Sequence, residues 1–438
     1  MEENSFYIET YGCTSNKADS NIISSVLKKA KYRLMNSIEK AQFIIVNTCA
    51  VKEQTENKIK HRLKELYEKF KDEKNKHVII AGCMPHITPD YIDVIKKIIP
   101  NFSAIIDLDN LHEIPEIFDE VKQGKADLIF RTEKSIDKAS YLIDYPLGKI
   151  TGVVPISEGC HGSCTYCCVK NARGKLYCYN PANIVKNVEY QLKQGIKQIY
   201  LTSQDCSTYK YNSTTLEELI RNIVDLDYKF FLRVGMINPS FLIENLNQLI
   251  SIYNKKKVYQ FLHIPVQSGS NNILKRMERT YLISDIINQI DILRKVFPSL
   301  TISTDIICGF PGESEYDFYR TINFIKWLKP EIINISKFTP RPGTKAKVMK
   351  QLDSRLIKER SIRLSRVFRN SLVNINEDWL GWEGEILLLH KGSEKNQAFG
   401  RNFAYKNIFI DDYEGKFGQF IEVKINRIDG FNLYGKLI

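Results

Sequence analysis

Three cysteines within eight residues set out the chemistry this sequence can perform. The segment Gly159-Cys160-His161-Gly162-Ser163-Cys164-Thr165-Tyr166-Cys167 carries the spacing C-x3-C-x2-C. With ten cysteines in 438 residues, chance predicts roughly 0.005 such matches. Thiolates clustered in this way hold three irons of a [4Fe–4S] cubane and leave the fourth without a protein ligand. An open iron binds and reduces a small molecule, where a fully ligated cluster only carries electrons. A structural zinc site is the competing reading. It needs a fourth thiolate or imidazole, and His161 or Cys168 offers one at a spacing unlike the usual paired knuckles. Cys168 also competes with Cys167 for the third position.

A second set is spread out. Cys13, Cys49 and Cys83 lie 36 and 34 residues apart. Each follows a strand-like run: Phe6–Thr10, Phe43–Val46 and His77–Ile80. Helical stretches, Asp19–Lys31 and Lys52–Lys71, separate them. Three β-plus-α units thus end their strands on the same residue type, at the edge where open parallel sheets bind ligands. The pattern predicts a second three-thiolate cluster with an open iron; the bland alternative is three small core residues. Cys178, Cys206 and Cys308 show no ligand spacing and are expected to be structural.

The elements that must position these residues are legible as a pattern. Strand-like segments at 150–157, 196–203, 230–236, 259–266, 300–307 and 332–338 alternate with helical stretches such as Pro181–Gln194 and Leu216–Asp225. Such alternation predicts a parallel sheet with crossover helices. Six units suggest an incomplete barrel, with chemistry at the C-terminal strand ends. Polar or glycine-rich patches follow those strands, among them Thr202-Ser203-Gln204-Asp205, Gln267-Ser268-Gly269-Ser270 and Gly309-Phe310-Pro311-Gly312-Glu313.

The chain carries 63 Lys and Arg against 51 Asp and Glu, a formal charge of +12, which suits a polyanionic partner. From Arg341 to Asn376 ten basic residues face only Asp353 and Glu359. Ile357, Leu364, Val367, Phe368 and Leu372 form an apolar stripe there, so a helix with an outward basic face is expected. The tail from Glu377 alternates in short segments, such as Glu385–Leu389 and Phe420–Ile425, broken by Gly and Asp. That pattern predicts a small antiparallel barrel. The tail is slightly acidic, so any RNA contact there would use aromatics or a local patch at Arg401, Phe403, Tyr405 and Lys406. No apolar run reaches the roughly 20 residues of a membrane span. The opening Met1-Glu2-Glu3-Asn4 lacks the features of a secretory signal, and a cytoplasmic protein is expected.

Taken in order, these features resemble the radical S-adenosylmethionine methylthiotransferases along essentially the whole chain. The strings that carry the resemblance are Tyr11-Gly12-Cys13-Thr14, Asn47-Thr48-Cys49, Ala81-Gly82-Cys83, Ala172-Arg173-Gly174, Pro265-Val266-Gln267-Ser268-Gly269-Ser270 and Thr304–Glu313, with Gly400-Arg401-Asn402 like the start of a TRAM core strand. Leu232–Pro239 and Phe261–Gln267 are most like the archaeal and eukaryotic branch acting on N6-threonylcarbamoyladenosine next to the tRNA anticodon, position 37.

The resemblance implies three domains: 1–125, flavodoxin-like; 146–376, a partial (βα)6 radical core with the basic helix; and 377–438, a TRAM-like barrel. It implies two [4Fe–4S] clusters and S-adenosylmethionine as cofactors. Cys160, Cys164 and Cys167 would hold the cluster that cleaves S-adenosylmethionine to a 5′-deoxyadenosyl radical, which takes hydrogen from C2 of the adenosine. Cys13, Cys49 and Cys83 would hold an auxiliary cluster carrying the sulfur, methylated by a second S-adenosylmethionine. Gln204, Arg233, Gln267 and Asp305, placed at strand ends, are the expected cofactor contacts. Implied partners are the tRNA anticodon stem-loop, a reductant protein and a sulfur donor, with the chain acting as a monomer away from membranes. Rival substrates are isopentenyladenosine in tRNA and an aspartate of a ribosomal protein. A rival of another class is a non-catalytic iron–sulfur RNA sensor.

Overall fold

The computed structural model describes residues 2–130, 136–372, 375–430 and 432–438. The expected boundary of the core at 376 falls just past Val373 and Asn374, which lie outside the described residues. By packing, the chain divides into two compact units. One comprises Met1–Asp144, Val153–Asn187 and Thr339–Lys347; the other comprises Tyr145–Gly152, Val188–Phe338 and Val348–Ile438. The cysteine loop at 160–167 thus packs with the N-terminal sheet.

The first unit is built on a six-stranded sheet in the spatial order Arg33–Leu34, Ser5–Thr10, Phe43–Thr48, His77–Gly82, Ala104–Ile106, Leu128–Phe130, every pairing parallel. This is the flavodoxin-like order, which reverses direction between Ser5–Thr10 and Phe43–Thr48. Phe43–Thr48 is buried at every position, as expected of a central parallel strand covered on both faces. Helix Glu53–Phe70 buries Ile59, Leu63, Leu66 and Phe70, one stripe at helical spacing. These side chains pack with Ile44, Val46, Val78 and Ile80 into one core.

In the second unit, Ile150 accepts backbone hydrogen bonds from Lys197 and Gln198 where the first core strand, Thr151–Pro155, begins. Gln198–Thr202 pairs in parallel with Phe231–Arg233. Parallel bridges Leu232–Val258 and Met236–His263 carry the sheet on to Phe261–His263, Thr301–Cys308 and Ile332–Lys337, again all parallel. Sequence-adjacent strands are therefore spatial neighbours, as a partial barrel requires. Capping boxes at Thr215/Glu218 and Ser314/Asp317 start two of the crossover helices, each satisfying amide groups a helix leaves open.

The C-terminal part of this unit is a closed five-stranded barrel: Glu383–Lys391, Ala398–Arg401, Asn407–Ile410, Asn432–Leu437 and Phe420–Asp429 around the ring. Four of its joints are antiparallel and one, Asn407–Ile410 with Asn432–Leu437, is parallel. A ring with an odd number of strands cannot alternate direction all the way round, so one parallel joint is unavoidable.

Two expectations for exposed surface change. On helix Ser354–Leu372 the inward face is Ile357, Arg360, Leu364, Phe368 and Leu372. Arg360 is not outward: its guanidinium donates to the Glu313 carbonyl and carboxylate at 2.9 and 2.7 Å, and that carboxylate in turn accepts from the Gly309 amide at 2.9 Å. The patch proposed for RNA is also folded inward. Tyr405 packs with Phe231, Tyr259 and Phe261, Arg401 lies 3.6 Å over the Tyr405 ring, and buried Lys406 pairs with Glu331. Phe403 and Tyr405 lie in the turn between Ala398–Arg401 and Asn407–Ile410, and an aromatic in a turn looks the same in sequence whether it faces RNA or packs on its own protein.

Candidate functional site

The first unit brings the N-terminal cysteines to one sheet edge. Cys13 is the exposed N-cap of helix Thr14–Lys29, while Cys49 and Cys83 are buried directly after their strands. Cys13 and Cys49 flank the point where strand order reverses, the place where open α/β sheets form a ligand crevice. Gly12 shows how close the approach is. Its φ is +102°, and an added Cβ would stand 2.7 Å from the Cys49 sulfur. Gly82, at φ +93°, has no room for a Cβ against the Thr48 carbonyl, 2.3 Å away. Glycine before Cys13 and before Cys83 is thus required by both backbone conformation and space.

Asn16, fully buried, ties these loops together. Its amide nitrogen donates to the carbonyls of Tyr11 and Thr48 at 2.8 and 2.7 Å. Its oxygen lies 3.6 Å from the Cys13 sulfur and 3.7 Å from the Cys83 sulfur. The same oxygen accepts from Arg173 at 2.7 Å, and Arg173 Nε donates to the Cys83 sulfur at 3.2 Å. Arg173 also contacts Asp19 at 2.7 Å and Glu158 at 2.5 Å. Lys138 completes the group by pairing with both carboxylates. Two cations and two anions are therefore buried beside the thiols. Burial pushes Glu158 up, yet Lys138 and Arg173 hold it below the usual carboxylate range. Burial pushes the Cys83 thiol up to about 12, with Arg173 drawing it back, and also raises Cys49.

The C-x3-C-x2-C segment is an irregular loop between short strand Ser157–Glu158 and helix Val169–Arg173. Gly159 opens it at φ +78°, with the Lys175 carbonyl 2.1 Å from where a Cβ would stand. Gly162 lies between two thiols: its amide donates to the Cys160 sulfur at 3.2 Å, and an added Cβ would sit 3.2 and 3.8 Å from the sulfurs of Cys160 and Cys164. Cys167 is pushed up to about 12, chiefly by burial, with the Val169 amide opposing and the neighbouring Cys164, Cys168 and Cys160 reinforcing the shift. Cys168 points elsewhere, its thiol donating to the Ala50 carbonyl at 3.3 Å.

Among the described residues no group of three or more His, Cys, Asp or Glu closes around a point that a metal ion would fill. A cubane spreads its ligands over separate irons, so thiols that serve it need not meet at one point. The donor chemistry fits such a group at both places: three thiols, with an N–H aimed at one sulfur in each set. Buried thiols resist losing a proton to water, and a metal that replaces the proton removes that obstacle.

The other expected contacts lie in the second unit. Gln204 occupies a half-buried bend after Gln198–Thr202. The Arg233 guanidinium sits among rings, 4.7 Å from Phe261 and 5.0 Å from Tyr200. Gln267 has φ +72°, a left-handed conformation uncommon for a side-chain-bearing residue and found at ligand sites. Asp305 is mid-strand rather than at a strand end; it contacts His263 at 3.0 Å and accepts from Asn334 at 2.6 Å. Sequence reasoning did not single out Asn16, Asp19, Lys138 or Glu158. The available signal was Asn16, three residues past Cys13 on the first turn of its helix.

Comparison with known proteins agrees with this architecture. Residues 5–106 match the family described as "Uncharacterized protein family UPF0004" and residues 154–325 match the "Radical SAM superfamily". The chain is 36% identical over 438 residues to a probable threonylcarbamoyladenosine tRNA methylthiotransferase of Pyrococcus horikoshii, covering 99% of each. It is 30% identical over 426 residues to the human threonylcarbamoyladenosine tRNA methylthiotransferase, covering 96% of this chain and 71% of that one. Among solved structures, the radical S-adenosylmethionine methyltransferase TsrM of Kitasatospora setae superposes with a TM-score of 0.58 at 13% identity, covering 78% of this chain and 75% of that one, a likeness of fold alone. The chain is a transferase belonging to the threonylcarbamoyladenosine tRNA methylthiotransferase family of radical S-adenosylmethionine enzymes.

Proposed function

We propose that this chain converts N6-threonylcarbamoyladenosine at position 37 of tRNA to its 2-methylthio derivative, using two [4Fe–4S] clusters and S-adenosylmethionine. The observation that carries this reading is the pairing, in one compact unit, of two separate three-thiol sets, in a chain similar over nearly its full length to enzymes named for that conversion. When bound, a cluster at Cys160, Cys164 and Cys167 supplies the electron that cleaves S-adenosylmethionine, and one at Cys13, Cys49 and Cys83 supplies the sulfur. The chain's own residues prepare both places. Gly162 directs its amide to the Cys160 sulfur, and Gly12 lets Cys49 approach the loop of Cys13. Asn16 and the buried ion pairs hold the strand-edge loops in register.

Gln204, Arg233, Gln267 and Asp305 are proposed contacts for the cofactor or substrate; the left-handed backbone at Gln267 supports that role best. The division 1–125, 146–376 and 377–438 is the proposed domain plan, with the tRNA anticodon stem-loop, a reductant protein and a sulfur donor as partners of a cytoplasmic monomer. No helix among the described residues is long and apolar enough to cross a membrane. The substrate is tested by mass spectrometry of tRNA nucleosides from cells with and without the gene. The expected result is loss of 2-methylthio-threonylcarbamoyladenosine with threonylcarbamoyladenosine retained. An unchanged nucleoside profile would overturn the substrate assignment.

A further inference from the structure

Arg173 is more than half of an ion pair. It is 8% exposed, and its planar fork reaches four partners: Cys83 Sγ at 3.2 Å, Glu158 at 2.5 Å, Asn16 at 2.7 Å and Asp19 at 2.7 Å. Two carboxylates and one amide oxygen fix the guanidinium, which leaves Nε directed at a sulfur. Placing two cations and two anions in a core is costly, and apolar residues of similar size usually stabilise a fold as well or better. A buried network of this kind therefore needs a reason other than stability. Its position supplies one. Helix Val169–Arg173 begins two residues after Cys167, and at about 1.5 Å per residue it carries the chain from the loop thiols to the Cys83 sulfur. Gly174, at φ +71°, ends it there. Lysine could supply the charge, but not three bonds to oxygen and one to sulfur in a single plane.

We propose that Arg173 is the positioning residue of the strand-edge thiol site: its Nε–H donates to the Cys83 sulfur and raises the reduction potential of the cluster that Cys13, Cys49 and Cys83 hold. This rests on the reading of those three cysteines given above. A hydrogen bond to a cluster sulfur favours the more negative, reduced state, and hydrogen bonds of this kind are among the levers that set cluster potentials. In a water-poor surrounding the effect is stronger than at a surface.

The test uses the full chain with Cys160, Cys164 and Cys167 changed to alanine, so that only the strand-edge set remains. It is loaded anaerobically with ferrous iron and sulfide, and its midpoint potential is read by EPR-monitored titration. In that background R173Q/D19N keeps the sum of the four buried charges at zero while removing the Nε–H. A tenfold shift of the reduction equilibrium toward the oxidised form is expected, about 59 mV for one electron. Arg173→Lys, which keeps the charge, is expected to shift it about threefold in the same direction. An unchanged potential in R173Q/D19N at full iron content overturns the proposal. If R173Q/D19N takes up no iron, Arg173→Lys decides, and an unchanged potential there overturns it equally. Failure of the parent triple-alanine chain to bind iron would instead overturn the cluster reading of Cys13, Cys49 and Cys83, and this inference with it.

Discussion

The two thiol sets are made in opposite ways. Cys160, Cys164 and Cys167 come from one loop of eight residues, with Gly162 between two of the sulfurs. Cys13, Cys49 and Cys83 come from the ends of three parallel strands and meet only because the sheet is folded. The loop set depends on local geometry; the strand-edge set depends on a whole core, two left-handed glycines and a buried network of four charges. Disturbing the fold should therefore cost the strand-edge site more than the loop site. The strand-edge site also draws its supporting charges from far along the chain, Lys138, Glu158 and Arg173 all lying well beyond Cys83 in sequence.

The largest expected effect comes from breaking the buried network. Glu158→Ala leaves Lys138 and Arg173 with one carboxylate between them, and loss of one partner of a buried pair costs about 3–5 kcal/mol. Denaturant unfolding should show that loss. A change under 1 kcal/mol would mean that the strand-edge site does not lean on these charges.

Next is a comparison of two glycines. Gly12→Ala imposes an unfavourable φ and a 2.7 Å approach to Cys49, at about 2–3 kcal/mol and with reduced iron uptake by the strand-edge set. Gly162→Ala meets only a 3.2 Å contact with Cys160 and should cost less than about 1 kcal/mol. Equal losses in the two variants would erase the distinction between a fold-dependent site and a local one.

The pH dependence of the first unit has a smaller signature. Burial pushes the Asp109 carboxyl up to about 6, with Lys138 opposing and Glu158 reinforcing the shift. A raised folded pKa means the native state binds the proton more tightly. Its stabilising contribution is thus present below about pH 4 and is lost as pH rises through about 6. Asp109→Asn should therefore stabilise the protein at pH 7.5 but not at pH 4. The gain is on the order of 1 kcal/mol after discounting for the water that still reaches the carboxyl. Parallel stability curves for the two proteins would contradict it.

Least of all is a surface change. Arg366 is exposed on helix Ser354–Leu372, and Arg366→Ala should leave stability within about 0.5 kcal/mol. In filter binding it should weaken tRNA affinity about twofold, as loss of one phosphate contact does. Arg360→Ala, by contrast, strands buried Glu313 and should destabilise by several kcal/mol. Equal stability of the two variants would return Arg360 to the outward face.

How much of this was legible in the sequence follows the same contrast. The loop triad is a local spacing and can be read directly. The strand-edge triad needed the further step of seeing that each cysteine ends a β-plus-α unit; the short apolar runs Phe43–Val46 and Val78–Ala81 inside the second and third strands supplied that step. Arg173 was visible as part of a string, but its partners Asp19 and Glu158 were not, because no local rule says that an acidic residue on a helix or beside a glycine will be buried. The inward turn of Arg401 and Tyr405 was hidden for a related reason: a strand end and the turn after it do not say what covers them. Asp305 was placed at a strand end although both the expected strand 300–307 and the observed Thr301–Cys308 hold it inside the strand; the patch Gly309–Glu313, not Asp305, follows that end.

The central claim is that the two sets do different work, and one assay addresses it. Cys164→Ala and Cys49→Ala proteins, loaded with iron and sulfide, are incubated anaerobically with tRNA, S-adenosylmethionine and reductant, and both 5′-deoxyadenosine and methylthiolated nucleoside are measured. The account predicts that Cys164→Ala forms neither product, while Cys49→Ala releases 5′-deoxyadenosine and forms no methylthiolated nucleoside. Methylthiolated product from Cys49→Ala would contradict it.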